Sequence, residues 1–125
     1  MSFEVLVVED SGAMRTLISL TVEEIDGVQA SEASSGFEAL RILPRQTFDL
    51  IITDINMPDI NGLELIKFIK ENDKYRDTPL IIISTESSQR DRERGLALGA
   101  NAYLVKPFEP SVLKETVSRY LIKGA

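Results

Sequence analysis

Apolar, β-branched runs alternate along the chain with stretches of helical periodicity. Val5-Leu6-Val7-Val8 predicts a buried strand. From Met14 the apolar positions Leu17, Ile18, Val22 and Ile25 fall at helical spacing, and Gly27 breaks the pattern. Val28 to Ala33 alternates weakly, as an edge strand does. Ser35 and Glu38 have the spacing of a capping box, which predicts a helix with Ala39, Leu40 and Leu43 inward and Pro44 as its end. Leu50 to Thr53 is the next strand, and Asn56 to Gly62 is a loop rich in Pro, Asp, Asn and Gly. Leu65, Ile66 and Ile69 share one helical face, and Leu80 to Ile83 is a short, wholly apolar strand after Pro79. Gln89 to Leu98 reads as a charged, solvated helix closed by Gly99. Ala102 to Val105 is the last strand. Pro110 suits a first helical position, and Leu113, Thr116, Val117, Tyr120 and Leu121 form the inner stripe of the final helix.

Strands and helices therefore alternate strictly, five of each. Short apolar strands separated by helices imply an α/β protein whose parallel sheet is covered on both faces. Right-handed crossovers leave a few doubly wound topologies. No linker, repeat or low-complexity tract interrupts the pattern, so a single domain over residues 1–125 with no separate output domain is expected. The N-terminal apolar run is four residues long between Glu4 and Glu9, too short for a signal peptide or a membrane span.

Composition narrows the chemistry. There is no cysteine and no histidine, which removes thiol nucleophiles, Ser-His-Asp catalysis, the usual zinc ligands and a phosphohistidine on this chain. A net charge of −6 argues against nucleic acid as a partner. The lack of cysteine and of an export signal fits a cytoplasmic protein with no membrane association.

In an open parallel sheet, sites lie beyond the carboxyl ends of the strands. The residues there are Glu9-Asp10, Asp54, Ser84-Thr85 and Lys106-Pro107. Taken singly, each has an ordinary explanation: acids and hydroxyls after strands cap helices, and lysines are solvated. Together, three carboxylates without a cation would repel one another. Their grouping points to a bound metal, and an all-oxygen site suits Mg²⁺. A phosphoryl group is the natural further ligand, because an aspartate can form an acyl phosphate while a lysine and a cation neutralise the transferring group. No glycine-rich phosphate loop of the nucleotide-binding kinds occurs, which argues against a bound nucleotide.

These residues resemble the receiver domain of bacterial two-component response regulators, from about Val5 to Leu121. The likeness rests on VLVVEDS, LIITDINMPDINGLEL, PLIIISTES and AYLVKPF, in that order. Within the family it is nearest to stand-alone chemotaxis regulators, to which the stretch Ser11–Met14–Arg15 also points. The resemblance implies a flavodoxin-like (βα)5 sandwich with strand order 2-1-3-4-5. It implies Asp54 as phosphoacceptor, and Asp10, Asp54 and the Asn56 carbonyl as Mg²⁺ ligands with Glu9 acting through a water. Ser84 and Lys106 would bind the phosphoryl group, Ser84 and Tyr103 would form the switch, and Asn56 and Glu86 would orient the water of dephosphorylation. Partners would be a sensor histidine kinase and a downstream protein target, with the chain a monomer. Two positions depart from the usual pattern: Glu9 stands where Asp is common, and Thr85 follows Ser84 where a small residue often sits.

The expected function is a phosphorylation-controlled binding module that catalyses only its own phosphorylation and dephosphorylation. One alternative is a small Mg²⁺-dependent phosphohydrolase with an aspartyl nucleophile. Such sites carry a second aspartate two residues on as acid–base, and here that position is Asn56, whose amide cannot supply a proton in that way. A flavin carrier would need a hydroxyl- and glycine-rich loop after the first strand, where Glu9-Asp10 instead repels phosphate. A receiver domain from a longer regulator, or one serving a pathway other than motility, is the remaining alternative.

Overall fold

The computed structural model describes residues 2–85 and 89–124. Five parallel strands are ordered β2-β1-β3-β4-β5: β1 (Phe3–Val8), β2 (Val28–Ala33), β3 (Leu50–Thr53), β4 (Leu80–Ser84) and β5 (Ala102–Val105). The helices α1 (Gly12–Glu23), α2 (Gly36–Ile42), α3 (Gly62–Glu71), α4 (Gln89–Ala97) and α5 (Pro110–Gly124) lie between and after them.

The two-residue period of the strands sorts their side chains into two cores. Leu6, Val8, Ile51 and Ile82 pack with Ala39, Leu43, Leu65, Ile66 and Ile69 from α2, α3 and the turn after α2. Val5, Val7, Ile52, Ile81 and Ile83 pack with Ile18 and Val22 of α1 and Leu113, Val117 and Leu121 of α5. The central strands are buried on both faces, which is why they read as unbroken apolar runs.

Element ends differ from the sequence pattern in small ways with clear causes. β1 begins at Phe3 because Phe3 pairs with Val28 of the edge strand. α1 begins at Gly12, with the Ser11 hydroxyl accepting the Met14 N–H. The capping box is displaced by one residue: Ser35 accepts the Glu38 N–H, whereas the Glu38 carboxylate accepts the Ser34 N–H at 2.6 Å. Past α2 the chain runs on through a 3-10 turn, Leu43–Arg45, which tolerates Pro44. α4 ends in a Schellman motif: Gly99, at φ +120°, donates to Leu96 and Ala100 donates to Gly95.

Candidate functional site

Sheet register brings the strand-end residues together. Val8 pairs with Thr53, so Glu9 and Asp54 leave adjacent strands side by side. Thr53 pairs with Ile82, and Ser84 pairs with Val105, so Ser84 ends β4 beside Lys106, whose N–H donates to the Ser84 carbonyl at 2.9 Å.

Lys106 reaches back across the sheet edge. Its Nζ lies 2.6 Å from Glu9 Oε1 and 3.0 Å from Asp54 Oδ2, and all three side chains are buried. The other Glu9 oxygen accepts the Ser11 N–H at 3.1 Å. Asp54 Oδ1 accepts the Ile55 N–H at 2.6 Å and the Asn56 N–H at 3.3 Å. Asp10 is exposed, and no described residue donates to its carboxylate. One oxygen each from Glu9, Asp10 and Asp54 lies within 4.8 Å of the other two.

The electrostatics follow from this packing. Burial raises the Glu9 pKa, and the Asp54 charge adds to the rise, against the pull of the Lys106 and Ser11 hydrogen bonds. Burial alone would lower the Lys106 pKa, but its hydrogen bonds to Glu9 and Asp54 and their charges outweigh it, so the ammonium is held above its ordinary value. Three carboxylates facing one ammonium leave a formal deficit of two positive charges, which one divalent cation closes. A donor set made of carboxylate oxygens fits a hard ion such as Mg²⁺.

Three of the other expected participants lie on β4, on β5 and in the loop after β3. Ser84 is fully buried at the end of β4. Asn56 is exposed two residues beyond Asp54. Tyr103 is half-buried on β5, with the Arg92 guanidinium 5.4 Å from its ring centre. Glu86 lies outside the described residues.

Two contributors carry no chemical signal of their own in the sequence. Arg15, which the sequence marks only through the family likeness, braces the acidic turn. Its Nη1 donates to the Glu9 carbonyl at 2.8 Å, and its Nε pairs with Glu32 of β2 at 3.2 Å. Asp59 reads as a turn residue but binds the first amides of α2, more than 20 residues away in sequence.

A doubly wound parallel sheet with a lysine-bridged acidic cluster at its carboxyl edge defines the class. The model of the response regulator receiver domain matches residues 5–118, and the chain belongs to that family, the receivers of two-component systems. It is 40% identical over 123 residues to a chemotaxis protein CheY homolog of Campylobacter jejuni, covering 98% of this chain and 95% of that protein. The structure of the chemotaxis response regulator CheY4 of Vibrio cholerae superimposes with a TM-score of 0.88 at 37% identity, covering 96% of this chain and 99% of the other. The receiver domain of the sensor histidine kinase PA1611 from Pseudomonas aeruginosa, solved with a magnesium ion coordinated in its active site cleft, gives a TM-score of 0.87 at 30% identity and covers 97% and 98% of the two chains. The expected likeness to chemotaxis regulators and the expected strand order are both borne out.

Proposed function

We propose that this chain is a phosphorylation-controlled binding module of the chemotaxis type, acting in the cytoplasm between a sensor histidine kinase and a protein target. The observation that carries the reading is the Lys106 ammonium shared by Glu9 and Asp54 at 2.6 and 3.0 Å, beside a third carboxylate with no described donor. Among the described residues, no helix is long and apolar enough to cross a membrane.

Asp54 is the phosphoacceptor. One of its carboxylate oxygens attacks the phosphorus of a partner's phosphohistidine. The O–P bond forms as the N–P bond breaks, and the departing imidazole takes up a proton. The Ile55 and Asn56 amides keep Asp54 oriented, and Lys106 neutralises charge on the incoming phosphoryl oxygens. Asp10, Asp54 and the Asn56 carbonyl would hold Mg²⁺, which supplies further charge neutralisation at the phosphoryl group when bound. Glu9 stands one methylene longer than the common Asp and is held by Lys106 and the Ser11 amide, and in this reading it acts on the metal through an intervening water. Ser84 turns toward the phosphoryl oxygens and Tyr103 follows, which changes the surface offered to the target. Asn56 and Glu86 orient the water that ends the signal.

Incubation with acetyl phosphate, with and without Mg²⁺, tests the reading by intact-mass measurement. Acid-labile phosphate on the wild type, dependent on Mg²⁺ and absent from Asp54→Asn, is the expected result. Steady hydrolysis of a panel of phosphomonoesters would support the phosphohydrolase instead.

A further inference from the structure

The loop from Asp54 to Asn61 begins at the acceptor and runs across the sheet edge to α3. Its near half is fixed from within: the Gly62 N–H donates to the Ile55 carbonyl at 2.7 Å, and Asp54 Oδ1 collects the Ile55 and Asn56 amides. Its far half is fixed by another element. Asp59 Oδ1 accepts the Gly36 N–H at 3.2 Å, and its Oδ2 accepts the Phe37 N–H at 2.8 Å. These are the first two amides of α2, which have no partner within the helix, and the helix dipole favours a carboxylate there. Ser35 takes the Glu38 N–H at 3.1 Å, so the first turn is capped by one local and one remote side chain.

Ile60 makes a second contact. A Cβ on Gly36 would lie 2.2 Å from Ile60 Cγ1, so the loop and the helix meet where a side chain is missing. The Phe37 amide is the chief cause holding the Asp59 pKa down to about 2, so its carboxylate is ionised at neutral pH.

We infer that Asp59 is a positioning residue for the cation site: by clasping the start of α2, it holds the Asn56 carbonyl in place beside Asp54 and Asp10. The inference rests on the proposed function, in which that carbonyl is a metal ligand. Asn56 ends the near half of the loop, three residues from Asp59, so its carbonyl leads into the half that Asp59 fixes. With the clasp gone, the far half loses both hydrogen bonds to α2 and keeps the apolar contact through Ile60. Loss of a group that orients a ligand from outside the coordination sphere lowers metal affinity by on the order of tenfold.

The test is Mg²⁺ titration calorimetry on the wild type, Asp59→Ala, Asp59→Asn and Ser35→Ala, at a temperature where circular dichroism shows each one folded. Ser35→Ala weakens the same helix end without releasing the loop, so it separates positioning from stability. Asp59→Ala should bind Mg²⁺ about tenfold more weakly. Asp59→Asn should fall between it and the wild type, because an amide oxygen keeps one of the two bonds. Ser35→Ala should melt lower yet bind Mg²⁺ as the wild type does. If Asp59→Ala does not fold, Asp59→Asn against Ser35→Ala carries the same comparison. Wild-type affinity in the Asp59 variants, or an equal loss in Ser35→Ala, overturns the inference. A wild-type protein that binds no Mg²⁺ overturns the proposed function instead.

Discussion

Replacing Gly62 by alanine puts a methyl group against the backbone of Asp54, the proposed phosphoacceptor. The added Cβ would stand 2.1 Å from the Asp54 carbonyl oxygen, 2.6 Å from Ile55 Cα and 2.9 Å from the Asp54 carbonyl carbon. Real Cβ atoms essentially never approach closer than 3.0 Å, so about 0.9 Å must be found by moving α3 or the Asp54–Ile55 backbone. Neither is the far end of a flexible side chain. The shift strains the 2.7 Å bond from the Gly62 N–H to the Ile55 carbonyl, a loss of about 1 kcal/mol. Overpacking adds roughly 1–3 kcal/mol. Alanine returns somewhat under 1 kcal/mol through the reduced entropy of the unfolded chain. The net cost is about 2 kcal/mol, or a fall in Tm of about 8 °C for a domain of this size. Function should suffer more than stability, because the displaced atoms carry the Asp54 side chain. Thermal melts by circular dichroism and labelling rates with acetyl phosphate read the two effects separately. Gly95→Ala is the comparison: its Cβ meets the Ile82 Cδ1 at 2.4 Å, a side-chain terminus that can turn aside. An unchanged Tm and an unchanged labelling rate in Gly62→Ala would refute the steric reasoning.

Other substitutions probe different parts of the structure. Asp10→Ala should weaken Mg²⁺ binding by at least an order of magnitude. It should also raise the metal-free Tm, because it removes one of three mutually repelling carboxylates; calorimetric titration and melts in chelator check the two halves. Ser19 is buried with no hydrogen-bond partner for its hydroxyl among the described residues, so Ser19→Ala should stabilise the fold by about 1 kcal/mol in urea denaturation. Asp59 has a folded pKa of about 2 against an ordinary 3.8, so its contribution is present above the higher value and is lost as pH falls through the lower one. Melts across that window should therefore show a shallower acid limb in Asp59→Asn than in the wild type.

The fold was legible because the central strands are buried on both faces and so appear as short β-branched runs that helical periodicity does not mimic. Glu9, Asp10, Asp54 and Lys106 were legible for a related reason. Each lies within two residues of a strand's end, and parallel strands in register bring their carboxyl ends to one edge. The less legible features depend on partners distant in sequence. Nothing near Phe3 announces its pairing with Val28, and nothing near Asp59 announces the amides of Gly36 and Phe37. Arg15 looks like an ordinary helix-surface residue until β2 supplies Glu32 beside it. The displaced capping box at Ser34, Ser35 and Glu38 reflects two adjacent serines competing for one carboxylate, a choice that spacing alone does not resolve.

Borohydride reduces an aspartyl phosphate to homoserine, which peptide mass spectrometry locates in the chain. Protein treated with acetyl phosphate and Mg²⁺, reduced and digested, should yield homoserine at position 54 and unmodified aspartate at position 10. Homoserine at position 10 with position 54 intact, or no reducible phosphate on a protein that binds Mg²⁺, would contradict Asp54 as the phosphoacceptor.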